Sequence, residues 1–303
     1  MNVTNNHSLA SSNAVSCAWT FYDQFEDKLC SVLSIILNFL TCPLTVLLNT
    51  LVMIAVKTKP SLQTMHNVIL ASMAVTDLAV GVVLQPVFMA REIFRLWSGW
   101  VLIQCYLNTM TMIITSLLCL TSLFHVVLIA LERFIAMKYS LKYNSIVTTR
   151  RLAVAIALCW LFTGIYFPPM FIKARITRVF AISTSLAVIC FCHLSVYFVC
   201  RRHLNRIKSE QISREARKKF LDDQKAWRTT IIVLCGFILS FLPEVLRATL
   251  LQLFSFPLLT RLRPLTFSCI ILNSFLSPVI YCWRSQFIRQ GMIQLLGKNV
   301  NNV

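Results

Sequence analysis

The stretch VLIQCYLNTMTMIITSLLCLTSLFHVVLIALER, residues 101–133, decides the fold. From Val101 to Leu131 it runs thirty-one residues without Asp, Glu, Lys or Arg, and an acid and a base follow at Glu132 and Arg133. About 20 apolar residues, each rising about 1.5 Å along a helix, cross roughly 30 Å of hydrocarbon. The segment therefore reads as a membrane span with a charged foot.

Six further runs share its character: approximately Cys30 to Val56, Asn67 to Ala90, Leu152 to Ile172, Val179 to Cys200, Thr229 to Leu251 and Pro264 to Trp283. Only Asp77 interrupts the second, and Glu244 and Arg247 the sixth. The whole chain agrees, with 57% apolar and 13% charged residues and a mean hydropathy of +0.71. That excludes a soluble globular protein and a disordered one, and six glycines and nine prolines exclude a collagen-like chain. The fold class is an all-α membrane protein, a seven-transmembrane helix bundle. Beyond it, Trp283 to Leu296 sets Phe287, Met292, Ile293 and Leu296 among Arg284, Arg289 and Gln290, the pattern of a short amphipathic eighth helix lying along the membrane surface. The expected organisation is an extracellular segment 1–29, a bundle 30–283 and an amphipathic helix with cytoplasmic tail 284–303.

A net charge of +18 would point a soluble chain toward nucleic acid, but here the surplus must sit in loops, and nucleic acid is not an expected partner. Twenty of the 29 Lys and Arg fall on the side holding the foot of the third span and nine on the other. Excess Lys/Arg marks the cytoplasm, so the N-terminus is expected outside a plasma-membrane protein. Sequons at Asn2 and Asn6 agree, and the acidic stretch before residue 30 does not look like a cleaved signal peptide. Nine of the twelve cysteines lie in or beside apolar runs, where they act as small hydrophobes.

Polar groups at bilayer depth are costly unless they face a partner. Asp77 sits mid-span, with Asn49, Ser122, Asn273, Ser274 and Ser277 at comparable depth. Two readings stand side by side: interhelical hydrogen-bond glue, and a small-cation site in which the Asp77 carboxylate and neutral oxygens act as hard ligands. The Glu132–Arg133 pair has company, because Asp223 lies twenty residues before Pro243 at the base of span six, and Tyr197 and Tyr281 end spans five and seven.

Taken in order, these landmarks resemble the rhodopsin-like G-protein-coupled receptors from Asn49 to Leu296. They are Asn49, the run Leu70 to Leu78 around Asp77, Trp97, Glu132-Arg133-Phe134, Trp160, Phe237 through Pro243, and Ser277-Pro278-Val279-Ile280-Tyr281. The resemblance implies that Arg133 turns toward a G protein on activation while Glu132 and Asp223 hold it at rest, and that Tyr197 and Tyr281 stabilise the active state. It implies a sodium pocket of Asp77, Asn49, Ser122, Asn273 and Ser274, and an activation core of Phe237, Phe241, Pro243, Ser277 and Pro278, with Pro243 kinking helix six into a lever. Implied partners are a heterotrimeric G protein, arrestin, surrounding lipid and an unidentified small-molecule, lipid or peptide ligand, with no cofactor besides a sodium ion. Phe241, Ser277 and Ile189 stand where the family usually has tryptophan, asparagine or aspartate, and proline. The family's disulfide from the second outer loop cannot form, because no cysteine lies between residues 161 and 189 and that loop is very short, Pro168 and Pro169 ending span four. Cys17–Cys105 and Cys30–Cys105 both remain open. The short loop and the stretch Glu132 to Asn144 look most like the melanocortin and adenosine branch.

The family's ligand rules narrow the pocket. Span seven has no lysine, which excludes a retinal Schiff base, and Thr115 stands where amine receptors place an aspartate. The acids of melanocortin receptors correspond to Val87, Asn108 and Met112, and the adenosine-contacting asparagine to Ala248. Met112, Thr115, Glu244, Arg247 and Ile271 remain as pocket candidates. Glu244 and Arg247, three apart on one helix, are expected to pair. A Glu244 left free would meet a cationic ligand, whereas the outer basic residues Lys173, Arg175, Arg178, Arg261 and Arg263 would steer an anionic or lipid one. A transporter is disfavoured because a single mid-membrane acid makes no relay, and an enzyme because the five histidines show no metal or nucleophile spacing. The alternative to a working receptor is a receptor-fold protein that no longer couples to G proteins and acts as a silent membrane partner.

Overall fold

The computed structural model describes the backbone of residues 28–97, 100–140, 142–172, 174–209, 214–254, 256–295 and 297, and their side chains except 165–172, 174–183, 186, 203–209, 214–220, 222, 223, 226, 252 and 257. Eight helices carry the fold: α1 (Lys28–Thr58), α2 (Met65–Leu96), α3 (Val101–Lys138), α4 (Thr149–Ile172), α5 (Ala174–Ser209), α6 (Arg214–Phe254), α7 (Arg263–Arg284) and α8 (Gln286–Leu295). Helical turns at Pro60–Leu62, Tyr143–Ile146 and Pro257–Arg261 connect them. Among the described residues α1, α2, α3, α7 and the Trp227–Leu251 part of α6 are long and apolar enough to cross a membrane. The other two apolar runs of the sequence lie within α4 and α5. Across the helices many large apolar side chains are exposed, as with Phe39 of α1, Leu161 of α4, Phe191 of α5 and Leu239 of α6, an arrangement that a lipid surround makes stable.

Local sequence explains where several helices start and stop. Thr64, Thr148 and Ser285 put side-chain oxygens on the N–H groups of Asn67, Arg151 and Ile288 at 3.3, 3.4 and 3.3 Å, so each caps the helix that follows. Past α8, Gly297 takes φ +75°, the left-handed position at which helices commonly end. Only residue 173 separates α4 from α5, so Pro168 and Pro169 lie inside α4 instead of ending it.

The largest departure from the sequence reading is in α2. Pro86 has no N–H to give the carbonyl of Val82, and the helix answers with a π-helical turn at Val80–Leu84. It then continues to Leu96, six residues past the expected end at Ala90. One extra residue in a turn rotates all that follows by about 100°, and Arg91 and Glu92 become buried instead of lying in a loop.

The chain divides into two compact units: Met1–Val46 with Ala79–Thr115 and Phe237–Phe275, and Leu47–Leu78 with Ser116–Gly236 and Leu276–Val303. In the first, Asn38 donates to Ser268 at 2.9 Å, Gln85 donates to Thr41 at 3.0 Å, and Phe88 stacks on Phe267 with centroids 5.2 Å apart. Cys42 reaches the carbonyl of Gly81, where a Cβ would meet Val46 at 2.9 Å. In the second, His125 lies 2.8 Å from Ser72 and edge-on to Trp160, Thr121 donates to Thr163, and Met137, Val196, Cys200 and Trp227 form an apolar core. α8 buries Ile288, Gly291 and Met292 and leaves Phe287 exposed.

Candidate functional site

Within the second unit, α3 ends in a buried charge cluster centred on Glu132. Arg133 gives it two hydrogen bonds of 2.5 Å, from Nε to Oε2 and Nη2 to Oε1. Tyr143, from the turn after α3, donates to Oε1 at 2.7 Å, and His66 at the start of α2 places Nδ1 3.2 Å from Oε2. Glu132 is 3% exposed and Arg133 7%. An exposed pair of this kind is worth about 0–1 kcal/mol; removing one partner of a buried pair costs about 3–5 kcal/mol because the other charge is left uncompensated. Sequence reasoning found the adjacent pair but missed His66 and Tyr143, which arrive from other elements. Tyr281 is buried with its hydroxyl on Met73 Sδ at 3.5 Å, while Tyr197 is 48% exposed beside Phe198. The side chain of Asp223 lies outside the described residues.

Next to this cluster in the same unit, a cleft is lined by His66, Leu70, Val126, Ile129, Thr229, Thr230, Val233 and Tyr281. α5 and α6 meet nearby, where the Trp227 indole donates to His193 Nδ1 at 3.1 Å. That bond holds His193 as the neutral tautomer with its proton on Nε2.

The mid-span polar residues are all buried: Asn49, Asp77, Ser122 and Ser277 in the second unit, Asn273 and Ser274 in the first. Asn49, Asp77 and Ser122 supply one carboxylate and neutral oxygens, a donor set suited to a hard cation. Of the activation core, Phe237 stacks on Phe241 with centroids 4.5 Å apart, and Pro243 and Pro278 sit inside α6 and α7.

The first unit gathers the ligand-pocket candidates with charges that were not foreseen. Glu244 takes two hydrogen bonds from Arg247, at 2.8 Å from Nε and 2.6 Å from Nη2, and a third from Thr266 at 2.6 Å. Thr115 spends its hydroxyl on the Thr111 carbonyl, and Ile271 is buried. Met112 meets Arg263, whose Nη2 lies 3.9 Å from the sulfur. Arg91, Arg247, Glu244 and Glu92 lie close enough to Arg263 to act on its charge. Glu92, fully buried, accepts from Ser31 at 2.9 Å, pairs with Arg95 at 3.5 Å and holds Arg91 through Nε and Nη2. The Arg91 guanidinium lies over Phe88 and Phe267, 4.7 and 5.3 Å from their centroids, and its Nη1 is buried without a hydrogen-bond partner. Such an unsatisfied donor costs about 1–3 kcal/mol. No pattern within α2 signals this cluster, because Glu92 becomes an inward group only through the π-helical turn upstream.

Cys105 is disulfide-bonded, whereas Cys30 in the first turn of α1 carries no disulfide. The Cys30–Cys105 alternative is thereby corrected. Cys17 and the sequons at Asn2 and Asn6 lie outside the described residues.

Comparison with known proteins matches residues 48–179 to the family described as 7 transmembrane receptor (rhodopsin family). Trace amine-associated receptor 9 of Mus musculus is 26% identical over 277 residues, covering 80% of this chain and 78% of that receptor, and its Homo sapiens counterpart gives the same figures. Alpha-2B adrenergic receptor of Echinops telfairi is 34% identical over 131 residues, covering 43% of this chain and 33% of that receptor. None of these relatives is a melanocortin or adenosine receptor, and that branch placement is not confirmed.

Proposed function

We propose that this chain, which belongs to the rhodopsin-like seven-transmembrane receptors, sits in the plasma membrane with its N-terminus outside and passes binding of an extracellular ligand to a heterotrimeric G protein, with Arg133 as the switch residue. The observation that carries this is the Glu132 cluster: a carboxylate saturated by Arg133, His66 and Tyr143 in a buried site. Arg133 leaves only when its two hydrogen bonds to Glu132 break together, so the resting and active arrangements are discrete. An agonist shifts the balance by the difference in its affinity for the two. Movement of α6 away from α5 breaks the Trp227–His193 bond and opens the cleft beside Arg133. Arrestin competes for the same face, and a sodium ion at Asp77 favours the resting arrangement.

Relatives named for trace amines raise an ammonium ligand first. An ammonium needs a carboxylate, and the amine receptors' helix-three acid is Thr115 here. Among the described residues of the first unit the carboxylates are Glu92 and Glu244, and arginines hold both. The ligand is therefore a small molecule other than a biogenic amine.

The test is basal G-protein activation at matched surface expression for wild type, Arg133→Ala, Asp223→Ala and Tyr143→Phe, across a panel of G-protein subtypes. The expected result is a rise with Asp223→Ala and Tyr143→Phe and a loss with Arg133→Ala. Flat signals in every variant and subtype would overturn the reading and leave the silent membrane partner.

A further inference from the structure

We infer that the first unit holds a carboxylate-binding site formed by Arg91 of α2 and Arg263 of α7, and that the ligand is a monocarboxylate with an apolar body. This deepens the receptor reading and rests on it for the ligand's being a signal.

The charge count comes first. Arg91, Arg247 and Arg263 face only Glu92 and Glu244 among the described residues of this cluster. Three guanidiniums against two carboxylates leave one positive charge in a largely buried site, where charge is costly unless paired. The second observation is independent of that count. Arg91 is 6% exposed, is clamped by Glu92 through Nε and Nη2, and keeps Nη1 buried without a partner. A donor already held in place loses little freedom on binding, and a guanidinium edge matches a carboxylate oxygen in shape as well as charge. Arg263 is the complementary case, since its Nη2 meets only the weak acceptor Met112 Sδ at 3.9 Å. The arginines are not interchangeable here: Glu244 engages Arg247 by two hydrogen bonds, and Arg95 touches Glu92 at the edge of the cluster.

The surroundings specify the rest of the ligand. Phe88 and Phe267 stack nearly parallel, at 13°, beneath the Arg91 guanidinium, and Met112 borders Arg263. Aromatic and thioether walls favour an aryl or alkyl chain over a strongly hydrated dianion.

The experiment uses the full chain purified in lipid nanodiscs. Thermal unfolding is followed while titrating short-chain, medium-chain and aryl monocarboxylates, their primary amides, inorganic phosphate and chloride. At least one carboxylate should raise the midpoint saturably while its amide does not. Arg263→Gln should weaken that carboxylate tenfold or more, and Arg284→Gln, in the second unit, should leave it unchanged. Arg91→Gln should act like Arg263→Gln, but it also releases Glu92 and can fail to fold, so Arg263→Gln decides. Equal stabilisation by amide and acid, unchanged affinity in Arg263→Gln, an effect of phosphate or chloride alone, or no effect of any carboxylate would each overturn the site. The readout does not involve a G protein. Carboxylate binding with flat basal signalling would overturn the receptor reading only, and Arg133-dependent signalling without carboxylate binding would overturn the site only.

Discussion

Tyr143 hydrogen-bonds Glu132 from outside the helix that carries it, and its hydroxyl is the smallest piece of the Glu132 cluster that can be removed without removing a charge. A hydrogen bond to a charged group contributes about 1.5–3 kcal/mol. If the bond belongs to the resting arrangement only, Tyr143→Phe raises the active-to-resting ratio about tenfold or more, read as basal G-protein activity at constant surface level. Gly81 is a different kind of residue. Its missing side chain lets α2 approach α1 until a Cβ would sit 2.9 Å from Val46 and 3.3 Å from Thr45. Gly81→Ala is expected to lower the thermal midpoint through overpacking of about 1–3 kcal/mol. Trimming Val46 to Ala in the same chain should restore part of it, and an unchanged midpoint in the single variant would contradict the close approach.

At the scale of elements, what could be read in advance depended on whether an interaction lies along one helix or between two. Glu244 and Arg247 share a helix face three residues apart, so their pairing follows from helical geometry, and the structure has it. The Glu132–Arg133 pair was legible because the two residues are consecutive in the chain. His66, Tyr143, Ser31 and Arg91 were not, because their contacts depend on how separate helices rotate and, for α2, on a π-helical turn that shifts everything beyond Val80. α8 depends on a comparable detail. Gly291 packs where a Cβ would come within 2.8 Å of Leu62, so Gly291→Val is expected to undock α8, measured as faster proteolysis of residues 284–303 with the bundle intact. The disulfide belongs to this scale too. With Cys30 excluded, non-reducing peptide mapping is expected to join the Cys105 peptide to the one containing Cys17, tying the N-terminal segment to the start of α3. A link to any other cysteine would contradict that pairing.

For the whole molecule, the spans were readable because a bilayer imposes a one-dimensional rule: about 20 apolar residues, then charge. The same rule predicts an N-terminus outside, and carbohydrate tests it. The full chain from mammalian cells should lose mass on treatment with an N-glycosidase, and Asn2→Gln with Asn6→Gln should abolish the shift; an unglycosylated chain would remove that support for an outside N-terminus. The hydrogen bond between Trp227 and His193 has an optical consequence. Trp97, Trp100, Trp160 and Trp283 are exposed, and Trp227 is the buried indole among the described residues. Replacing the four exposed tryptophans and Trp19 with phenylalanine leaves one native chromophore at the α5–α6 seam, held by an imidazole that quenches it differently when the two separate. Emission colour and lifetime from that single indole would then follow the opening of the receptor in real time, without a label or a G protein in the cuvette.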